Sequence, residues 1–331
     1  MHGREVDDRG RARTDRPRLT VAVLTFRRNT YLTELLPALM DQAVGCKDVG
    51  STRVLVVDND PAAGAASLVE NARPETAPER LVYVHEPEPG IVAGRNRALA
   101  ESAEEDLLVF IDDDELPGDG WLDALVGTWR STGCAAVTGP TPPVFEVQPD
   151  PWVRASGAFD SWDAPDGQSV RSADTGNLLL DLSVVRRLNL SFDPRYGLTG
   201  GEDSLFTRQL TMAGQVIRFS AAAVVTKRVP HTRANRRWVL RRAYRAGSSW
   251  ARVRIDTAPG LEGLSLRVGY AAKGVVKAVV DAVRAGVAAG RGDVETRARR
   301  EVSSRGGMGM VVGAFDVRVR EYGRSSRRSM S

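Results

Sequence analysis

The sequence predicts an α/β protein with a mostly parallel central sheet flanked by helices, followed by a helical C-terminal extension. Short apolar runs alternate with helix-like segments across residues 19–230, which is the pattern of successive βαβ units. The run at 107–111 is apolar at every position, as expected of a parallel strand that is buried on both faces. After residue 230, long basic or amphipathic segments take over.

Each element follows from a local pattern. Apolar or β-branched runs bounded by turn residues predict strands at 19–25, 53–57, 81–84, 107–111, 135–138, 175–180, 216–219 and 223–225. Apolar residues at helical spacing predict helices at 30–43, 62–72, 91–102, 182–188 and 202–212, and a further helix that opens at 120. Asn29 or Thr30 is the expected N-cap of the first helix, because either side chain can accept a backbone hydrogen bond there.

Composition narrows the class of protein. With 331 residues, 42% of them apolar, and a net charge of +4, the chain is expected to be soluble and globular, and this charge does not by itself indicate a polyanionic partner. Cys46 and Cys134 form neither a metal-binding spacing nor a disulfide framework, which favours the reducing cytoplasm. The polar segment 1–18 is unlike a signal peptide or a membrane span. We predict that it is a disordered tail, as is 324–331.

An acidic turn directly follows the central strand. Asp112, Asp113, Asp114 and Glu115 lie at its carboxyl end, where open α/β sheets bind their ligands. Like charges packed there are unfavourable unless a cation offsets them, and carboxylate oxygens suit Mg²⁺ or Mn²⁺, which also bind diphosphates. A solvated acidic turn without an ion is the alternative that spacing alone leaves open.

Two further segments suggest a function but leave alternatives open. Segment 140–173 contains six prolines together with Trp152, Phe159 and Trp162, so it is either an ordered lid over a binding site or a plain surface excursion. Segment 227–254 contains ten basic residues and no acidic one, which fits a phosphate-binding face, a surface for anionic lipid or a solvated helix. No nucleic-acid fold signature accompanies these charges, so a nucleic-acid partner is not expected.

A helix predicted at 269–290 has valines on one side and a separate polar stripe of Lys273, Lys277, Asp281 and Arg284. These charges argue against a helix that spans a membrane. Packing of the helix on the core or on a partner is one explanation, and attachment to a membrane surface is the other.

Five stretches of the chain, in order, resemble the family 2 glycosyltransferases with a GT-A fold, and the resemblance covers 19–254. The stretches are 21–28, 56–60, 90–96, 110–114 and 200–208. Asp112 and Asp114 match the DxD motif of that family, and Gly94 stands where the family usually has alanine. Each stretch is weak evidence alone, but five in the family's order are specific. The region 230–247 is similar to members that build bacterial polysaccharides of the succinoglycan type.

The resemblance implies roles for individual residues. The residues implied around the nucleotide sugar are Thr25, Arg27, Asp58, Arg95, Asp112 and Asp113. The implied metal ligands are Asp112, Asp114 and His231, with Mn²⁺ or Mg²⁺ as the cofactor. After the second strand the chain has Asp58-Asn59-Asp60-Pro61 in place of the family's common Asp-Asp-x-Ser, which leaves the identity of the base open.

The catalytic base is implied to be Asp203, with Glu202 as the competing candidate. Inverting sugar transfer needs one general base for the acceptor hydroxyl and a cation for the leaving diphosphate. A carboxylate at a helix N-terminus gains from the helix dipole and stays ionised, and both residues stand at that position. An acidic N-cap without a catalytic role would need only one of them.

The sequence therefore predicts an inverting, metal-dependent glycosyltransferase. It would move a sugar from a nucleotide-sugar, expected to be a UDP-sugar, to a hydroxyl of a saccharide, lipid-linked or small-molecule acceptor. We expect a GT-A catalytic domain at 19–230, with a donor half at 19–140 and an acceptor half at 141–230, and a basic and amphipathic helical extension at 231–323. The predicted location is cytoplasmic, with peripheral attachment to the inner face of the plasma membrane if the surface-helix explanation holds.

Two other functions of the same fold are disfavoured. Nucleotidyltransferases that make nucleotide-sugars carry a glycine-rich loop after the first strand, whereas residues 25–29 contain no glycine. A non-catalytic binding protein on a decayed transferase fold is disfavoured because Asp112, Asp114, Glu202 and Asp203 are all retained. The sequence indicates no oligomeric state.

Overall fold

The computed structural model describes residues 16–197 and 199–315, and it contains a central sheet of eight strands and a small second sheet. The strands are β1 (Arg18–Thr25), β2 (Ser51–Asp58), β3 (Leu81–His85), β4 (Leu107–Asp112), β5 (Glu115–Pro117), β6 (Ala136–Thr138), β7 (Pro143–Phe145), β8 (Ser169–Val170), β9 (Asn177–Asp181), β10 (Ile217–Phe219) and β11 (Val225–Val229). The helices are α1 (Asn29–Gly45), α2 (Ala66–Ala72), α3 (Ile91–Glu101), α4 (Trp121–Thr132), α5 (Pro151–Ala155), α6 (Leu182–Arg187), α7 (Glu202–Met212), α8 (Arg236–Asp256), α9 (Gly260–Gly290) and α10 (Val294–Ala314).

The central sheet is mostly parallel, as predicted. Its strand order is β3-β2-β1-β4-β9-β6-β10-β8, and β3, β2, β1 and β4 are parallel neighbours. β9 runs antiparallel to both β4 and β6, and β8 runs antiparallel to β10. The central strand β4 therefore has a parallel neighbour on one side only. The second sheet has the order β5-β11-β7.

Helices cover both faces of the central sheet because successive strand residues point to opposite sides. Val21 and Val23 of β1 pack into one buried apolar cluster with Trp121 of α4. Ala22, between them, packs into the opposite cluster with Phe206 of α7. Burial on both faces explains why the strands of this sheet are apolar runs rather than alternating patterns.

The start of α1 differs from the prediction. Arg28 is the N-cap residue, and its side chain makes no capping hydrogen bond. Asn29 is the first helical residue, and its side-chain amide donates to the carbonyl of Gly64, 2.8 Å away. The prediction that Asn29 or Thr30 caps the helix was therefore wrong, because the Asn29 side chain holds the neighbouring loop instead.

Two other elements begin or end at residues that differ from the predicted ones. The helix predicted at 62–72 begins only at Ala66, since the carboxylate of Asp58 accepts a hydrogen bond from the backbone of Ala65 at 2.9 Å and holds the chain in turns. The last strand, predicted at 223–225, is β11, and it extends to Val229 because it pairs with both β5 and β7.

Segment 140–173 is not a structureless excursion. It contains β7, α5 and β8, and β7 pairs with β11. Phe159 stacks on Trp238 of α8, with ring centroids 5.5 Å apart and planes at 9°. Asp150 caps α5 by accepting from the backbone of Val153. The segment is thus anchored between the small sheet and the C-terminal helices, and its role as a lid stays a prediction.

Helices α8, α9 and α10 follow the last strand, and α10 packs against the other two. The contacts are close because glycines line them: a Cβ on Gly309 would overlap the carbonyl of Tyr244 in α8, and one on Gly274 of α9 would lie 2.7 Å from the carbonyl oxygen of Gly307. The helix predicted at 269–290 is the C-terminal part of α9. No helix in the described part of the chain is long and apolar enough to cross a bilayer.

The two predicted tails fall mainly outside the described residues. Residues 1–15 and all of 324–331 lie there, whereas Arg18 already belongs to β1.

Candidate active site

Three predicted site residues end neighbouring strands of the sheet. Thr25 is the last residue of β1 and pairs in register with Asp58, the last residue of β2. Asp112, the last residue of β4, pairs with Leu24. The three side chains therefore start from the same carboxyl edge of the sheet, where ligands of such folds bind.

A compact cluster of carboxylates follows β4. Asp112, Asp114 and Glu115 each offer one oxygen atom, and these atoms lie within 4.8 Å of one another. Glu115 fits there because Gly176 has no side chain: a Cβ at that position would lie 2.6 Å from Glu115 Oε1. A donor set made only of carboxylate oxygens suits Mn²⁺ or Mg²⁺. Sequence analysis did not assign Glu115 as a ligand.

Basic side chains surround this cluster. Lys227 Nζ lies 2.8 Å from Glu115 Oε1, 3.0 Å from Asp112 Oδ2 and 3.8 Å from Asp114 Oδ1. Arg233 Nη1 lies 2.8 Å from Asp114 Oδ2. Lys227 arrives through the small sheet, where β11 pairs it in register with Glu115 of β5. The ammonium group therefore offsets charges that a bound cation would otherwise neutralise.

The cluster carboxylates titrate differently. Burial raises the pKa of Glu115 to about 8, and the nearby positive charge of Lys227 opposes this shift. Desolvation acts on Asp112 as well, but the charges of Lys227 and Arg95 outweigh it and lower the pKa of Asp112. Burial and charge therefore shift the pKa values of the two carboxyl groups in opposite directions, although both groups contact Lys227.

Asp113 is not part of the group of three carboxylates and contacts residues at the end of β1 and the start of α1. Thr25 Oγ1 donates to Asp113 Oδ2 at 3.0 Å, and Arg28 Nη1 lies 2.6 Å from Asp113 Oδ1 and 3.1 Å from Asp114 Oδ2. Burial raises the pKa of Asp113 to about 6, with Arg28 opposing it. Thr25 and Asp113 thus join the β1–α1 loop to the acidic turn, and their contact with a nucleotide stays a prediction.

Asp58 and Arg27 organise the neighbouring loops. The Asp58 carboxylate is buried and accepts hydrogen bonds from the backbone of Asp60 and Ala65 and from the Tyr83 hydroxyl, at 2.9 to 3.0 Å. Arg27 has a positive φ of 56° and an exposed side chain whose Nε lies 3.1 Å from Asp60 Oδ1. In this conformation Asp58 holds the β2–α2 loop, and a role in reading the base stays a prediction.

The N-terminus of α7 carries the two candidate bases. Gly200 and Gly201 have φ values of 75° and 93°, which favour glycine and turn the chain into the helix. Glu202 forms a buried ion pair with Arg95 of α3. The other carboxylate oxygen of Glu202 is buried and has no hydrogen-bond partner among the described residues.

Asp203 is in a different environment. Burial, together with the negative charges of Glu202 and Asp174, raises its pKa well above the usual range, while Arg95 opposes the shift. A carboxylate whose pKa lies closer to neutrality is a better general base at physiological pH. Asp174, an exposed residue that the sequence did not single out, thus contributes to the electrostatics of the site.

Arg95 connects the two ends of the site. Its positive charge opposes the upward shifts that burial causes in the pKa of Asp112, beside the carboxylate cluster, and in the pKa of Asp203, at the start of α7. Contacts along 173–176 join the two places: the backbone N–H of Ala173 donates to Thr207 Oγ1 of α7 at 3.4 Å, and a Cβ on Gly176 would lie 2.6 Å from Glu115 Oε1. The carboxylate cluster and α7 therefore lie against the same short segment of chain.

His231 does not join the carboxylate cluster in this conformation. Its side chain is 70% exposed, and Nδ1 lies 3.9 Å from Glu146 Oε2. The third side chain with an oxygen atom near those of Asp112 and Asp114 is Glu115. The metal role of His231 stays a prediction that this arrangement does not support.

A cationic cavity adjoins the cluster. It has a volume of about 470 Å³ and is lined by Arg27, Arg28, Thr30, Tyr31, Pro230, Thr232 and Arg233. Arg28 and Arg233 both contact Asp114, so the cavity opens beside the acidic turn. Three guanidinium groups around one cavity favour an anionic ligand such as a diphosphate.

Known proteins are similar to this chain in sequence and in fold. Residues 20–183 match the model of glycosyl transferase family 2. The chain is 35% identical over 243 residues to the succinoglycan biosynthesis protein ExoM of Rhizobium meliloti (strain 1021). The matched region covers 73% of this chain and 77% of that protein. The chain therefore belongs to glycosyltransferase family 2, which confirms the predicted family and enzyme class.

More distant proteins are also similar to this chain in sequence or in fold. The chain is 27% identical over 205 residues to the pre-mycofactocin glycosyltransferase of Mycobacterium tuberculosis (strain ATCC 25618 / H37Rv), spanning 60% of this chain and 41% of that protein. The structure of the mannosyltransferase PcManGT from Pyrobaculum calidifontis, in complex with GDP-Man and Mn²⁺, matches with a TM-score of 0.57 at 21% identity over 88% of this chain and 86% of that one. The structure of GalNAc-T7 with UDP, GalNAc and Mn²⁺ matches with a TM-score of 0.51 at 11% identity, over 78% of this chain and 55% of that one. These likenesses confirm the predicted GT-A fold.

Proposed function

We propose that this glycosyltransferase transfers a sugar from a nucleotide-sugar to an acceptor hydroxyl with inversion, assisted by a divalent cation. The observation that carries the proposal is the group of three carboxylates of Asp112, Asp114 and Glu115, whose oxygen atoms lie within 4.8 Å of one another directly after β4. A cluster of this kind suits the diphosphate end of a donor, and a carboxylate with a raised pKa suits deprotonation of an acceptor. Inversion needs one base of this kind and no covalent intermediate on the protein.

The donor end is assigned to residues after β4. Asp112, Asp114 and Glu115 are the residues that would hold Mn²⁺ or Mg²⁺, which when bound would stabilise the charge of the leaving diphosphate. Arg28 and Arg233 line the adjacent cavity and supply further positive charge for phosphate oxygens. Lys227 has to give up its contacts with the three carboxylates when a cation binds there.

The acceptor end is assigned to α7. Asp203 accepts the proton of the acceptor hydroxyl as that oxygen attacks the anomeric carbon. Glu202 fixes Arg95, whose positive charge opposes the upward shift of the pKa of Asp203. Segment 140–173 is proposed to contact the acceptor, in keeping with a donor half at 19–140 and an acceptor half at 141–230.

The chemical identity of donor and acceptor follows from the relatives by analogy. The solved structures contain GDP-Man in one case and UDP in the other, which supports a nucleotide-sugar of either base, and we propose a UDP-sugar. The similarity to a succinoglycan biosynthesis protein supports a saccharide acceptor, which includes a lipid-linked one. The similarity to a pre-mycofactocin glycosyltransferase makes a small-molecule acceptor the alternative.

The test is ligand-induced thermal stabilisation of the full chain. UDP, GDP and their sugars are added with Mn²⁺, with Mg²⁺ or with EDTA, because a ligand that binds only the native state raises its melting temperature. We expect metal-dependent stabilisation by UDP and a larger effect from one UDP-sugar. Asp114→Asn should lose it, whereas Asp119→Asn, an exposed aspartate beyond the cluster, should not. Stabilisation by GDP-sugars alone would overturn the choice of base, and stabilisation unaffected by EDTA or by Asp114→Asn would overturn the metal site.

A further inference from the structure

Helix α9 has its larger apolar residues on the outside. Its buried residues are small or charged, namely Gly263, Gly274, Ala278, Asp281, Ala285 and Ala288. Six valines point to solvent instead, with exposures between 40% and 63%, namely Val275, Val276, Val279, Val280, Val283 and Val287. We call these six residues the valine face. Contiguous exposed apolar residues of this kind mark an interaction surface more often than a free one.

The valine face is broad and has a basic border. At about 100° per residue, Val275 and Val280 are about 140° apart around the helix, and the other four valines lie between them. Lys273, Arg284 and Lys277 follow within the next ~60° beyond Val280. A helix with this arrangement, apolar on one side and basic along the edge, is typical of helices that lie in the surface of an anionic bilayer.

Aromatic residues stand at the same edge. Lys273 Nζ lies 5.8 Å from the ring centroid of Trp250 in α8, and Trp250 packs edge-to-face on Tyr270 of α9 with centroids 5.0 Å apart. Both rings are only partly buried. Tryptophan and tyrosine beside lysine and arginine are enriched at the level of lipid headgroups, where one end of each ring is apolar and the other is wet.

The breadth of the valine face favours a bilayer over a second helix as its partner. A coiled-coil partner covers a narrow seam of two positions in seven, which would leave most of a sector of about 140° exposed. A bilayer surface covers the whole sector and also meets the basic edge with its phosphates. The sequence of residues 316–331 also favours an anionic surface, because it contains five arginines and only two acidic residues, Asp316 and Glu321.

We propose that the valine face docks onto an anionic membrane surface, with Lys273 and Arg284 against the lipid phosphates. The valines insert to the level of the acyl-chain boundary, and α9 lies in the plane of the membrane rather than across it. The proposal does not depend on the proposed donor or acceptor, because it concerns a surface formed by the C-terminal helices.

The experiment is vesicle flotation of the full-length protein. Vesicles of pure phosphatidylcholine are compared with vesicles that contain one third phosphatidylglycerol, at low and at physiological salt. Val276→Ser with Val283→Ser removes two valines that are each 63% exposed, so the fold has little reason to change. The matched control is Val44→Ser with Val147→Ser, which are 65% and 51% exposed elsewhere on the surface. Circular dichroism melting confirms that each variant is folded.

We expect the wild type and the control to float with the anionic vesicles and the α9 variant to lose at least about tenfold in bound fraction. Lys273→Gln with Arg284→Gln should reduce binding and its salt dependence together. Wild-type protein that does not float would overturn the proposal. So would flotation that survives the valine substitutions and is lost on removal of 316–331, which would assign binding to the basic tail. A dimer in light scattering that the α9 variant dissociates would show that a second copy covers the face instead.

Discussion

The two acidic residues at the start of α7, Glu202 and Asp203, should give different phenotypes when each is replaced by its amide. Asp203→Asn is expected to lower kcat while the protein is at least as stable as the wild type. Glu202→Gln is expected to lower stability while the folded protein keeps most of its kcat. The reason is that Glu202 forms a buried ion pair with Arg95, whereas Asp203 is a carboxylate whose pKa is raised by burial and like charges.

The sizes of both effects follow from the structure. Arg95 and Glu202 are 5% and 4% exposed, and breaking one partner of a buried ion pair costs about 3–5 kcal/mol. At ~2–4 °C per kcal/mol for a protein of this size class, Glu202→Gln lowers the melting temperature by on the order of 10 °C. The raised pKa of Asp203 means that the folded state binds its proton more tightly than the unfolded state, so ionised Asp203 destabilises the fold at neutral pH. Asp203→Asn removes that penalty, and the loss of a general base lowers kcat by roughly 10²–10⁴-fold.

The assay pairs differential scanning calorimetry with single-turnover sugar transfer, measured well below the melting temperature of the weaker variant. Donor affinity, measured by calorimetric titration, serves as the control for Asp203→Asn, which should leave it largely unchanged. If folded Glu202→Gln is inactive while Asp203→Asn turns over normally, the assignment of the base is wrong. If neither variant loses turnover, proton transfer to α7 is not part of the reaction.

Four further outcomes are expected around the same site. Gly176→Ala should weaken Mn²⁺ binding in isothermal titration calorimetry, because the new Cβ would lie 2.6 Å from Glu115 Oε1 and displace that carboxylate. Lys227→Met should lower the melting temperature in EDTA and make it rise more steeply with Mn²⁺ than in the wild type, since the cation would then replace the lost ammonium. The acidic limb of the kcat/KM profile should lie at higher pH than for an ordinary aspartate, because the base works only when ionised and the pKa of Asp203 is raised. Glu202→Gln should move that limb to lower pH, since it removes a negative charge beside Asp203.

The sequence predicted those parts of the fold that local patterns determine. Apolar runs located most of the strands of the central sheet, and α7 begins and ends at the predicted residues because its apolar spacing and flanking glycines are local signals. Helix α10 lies within the predicted helical extension at 231–323, but its bounds were not predicted, since Gly306, Gly307, Gly309 and Gly313 lower helix propensity and leave no apolar stripe. Those glycines become favourable only once α8 and α9 pack against them, which is tertiary information.

The candidate site also divides into residues that local motifs indicate and residues that only the folded structure brings together. The acidic turn and the Glu202–Asp203 pair were located from motifs, because each lies within a few residues of a strand or helix end. Lys227 was not assigned to the site, since only the register of β11 with β5 brings it to Glu115 across 112 residues of chain. Glu115 was missed as a ligand for a related reason: the space it occupies exists because Gly176, which precedes β9, has no side chain.

The basic residues that the motifs did not indicate explain how the acidic turn is tolerated in a buried position. Four adjacent carboxylates would repel one another, yet Lys227, Arg28 and Arg233 contact all four of them. On the proposed metal site, a bound cation would therefore replace the Lys227 ammonium instead of entering a place without positive charge. Asp112, Asp114 and Glu115 would hold that cation, and the displaced ammonium would supply positive charge for the phosphate oxygens of a donor.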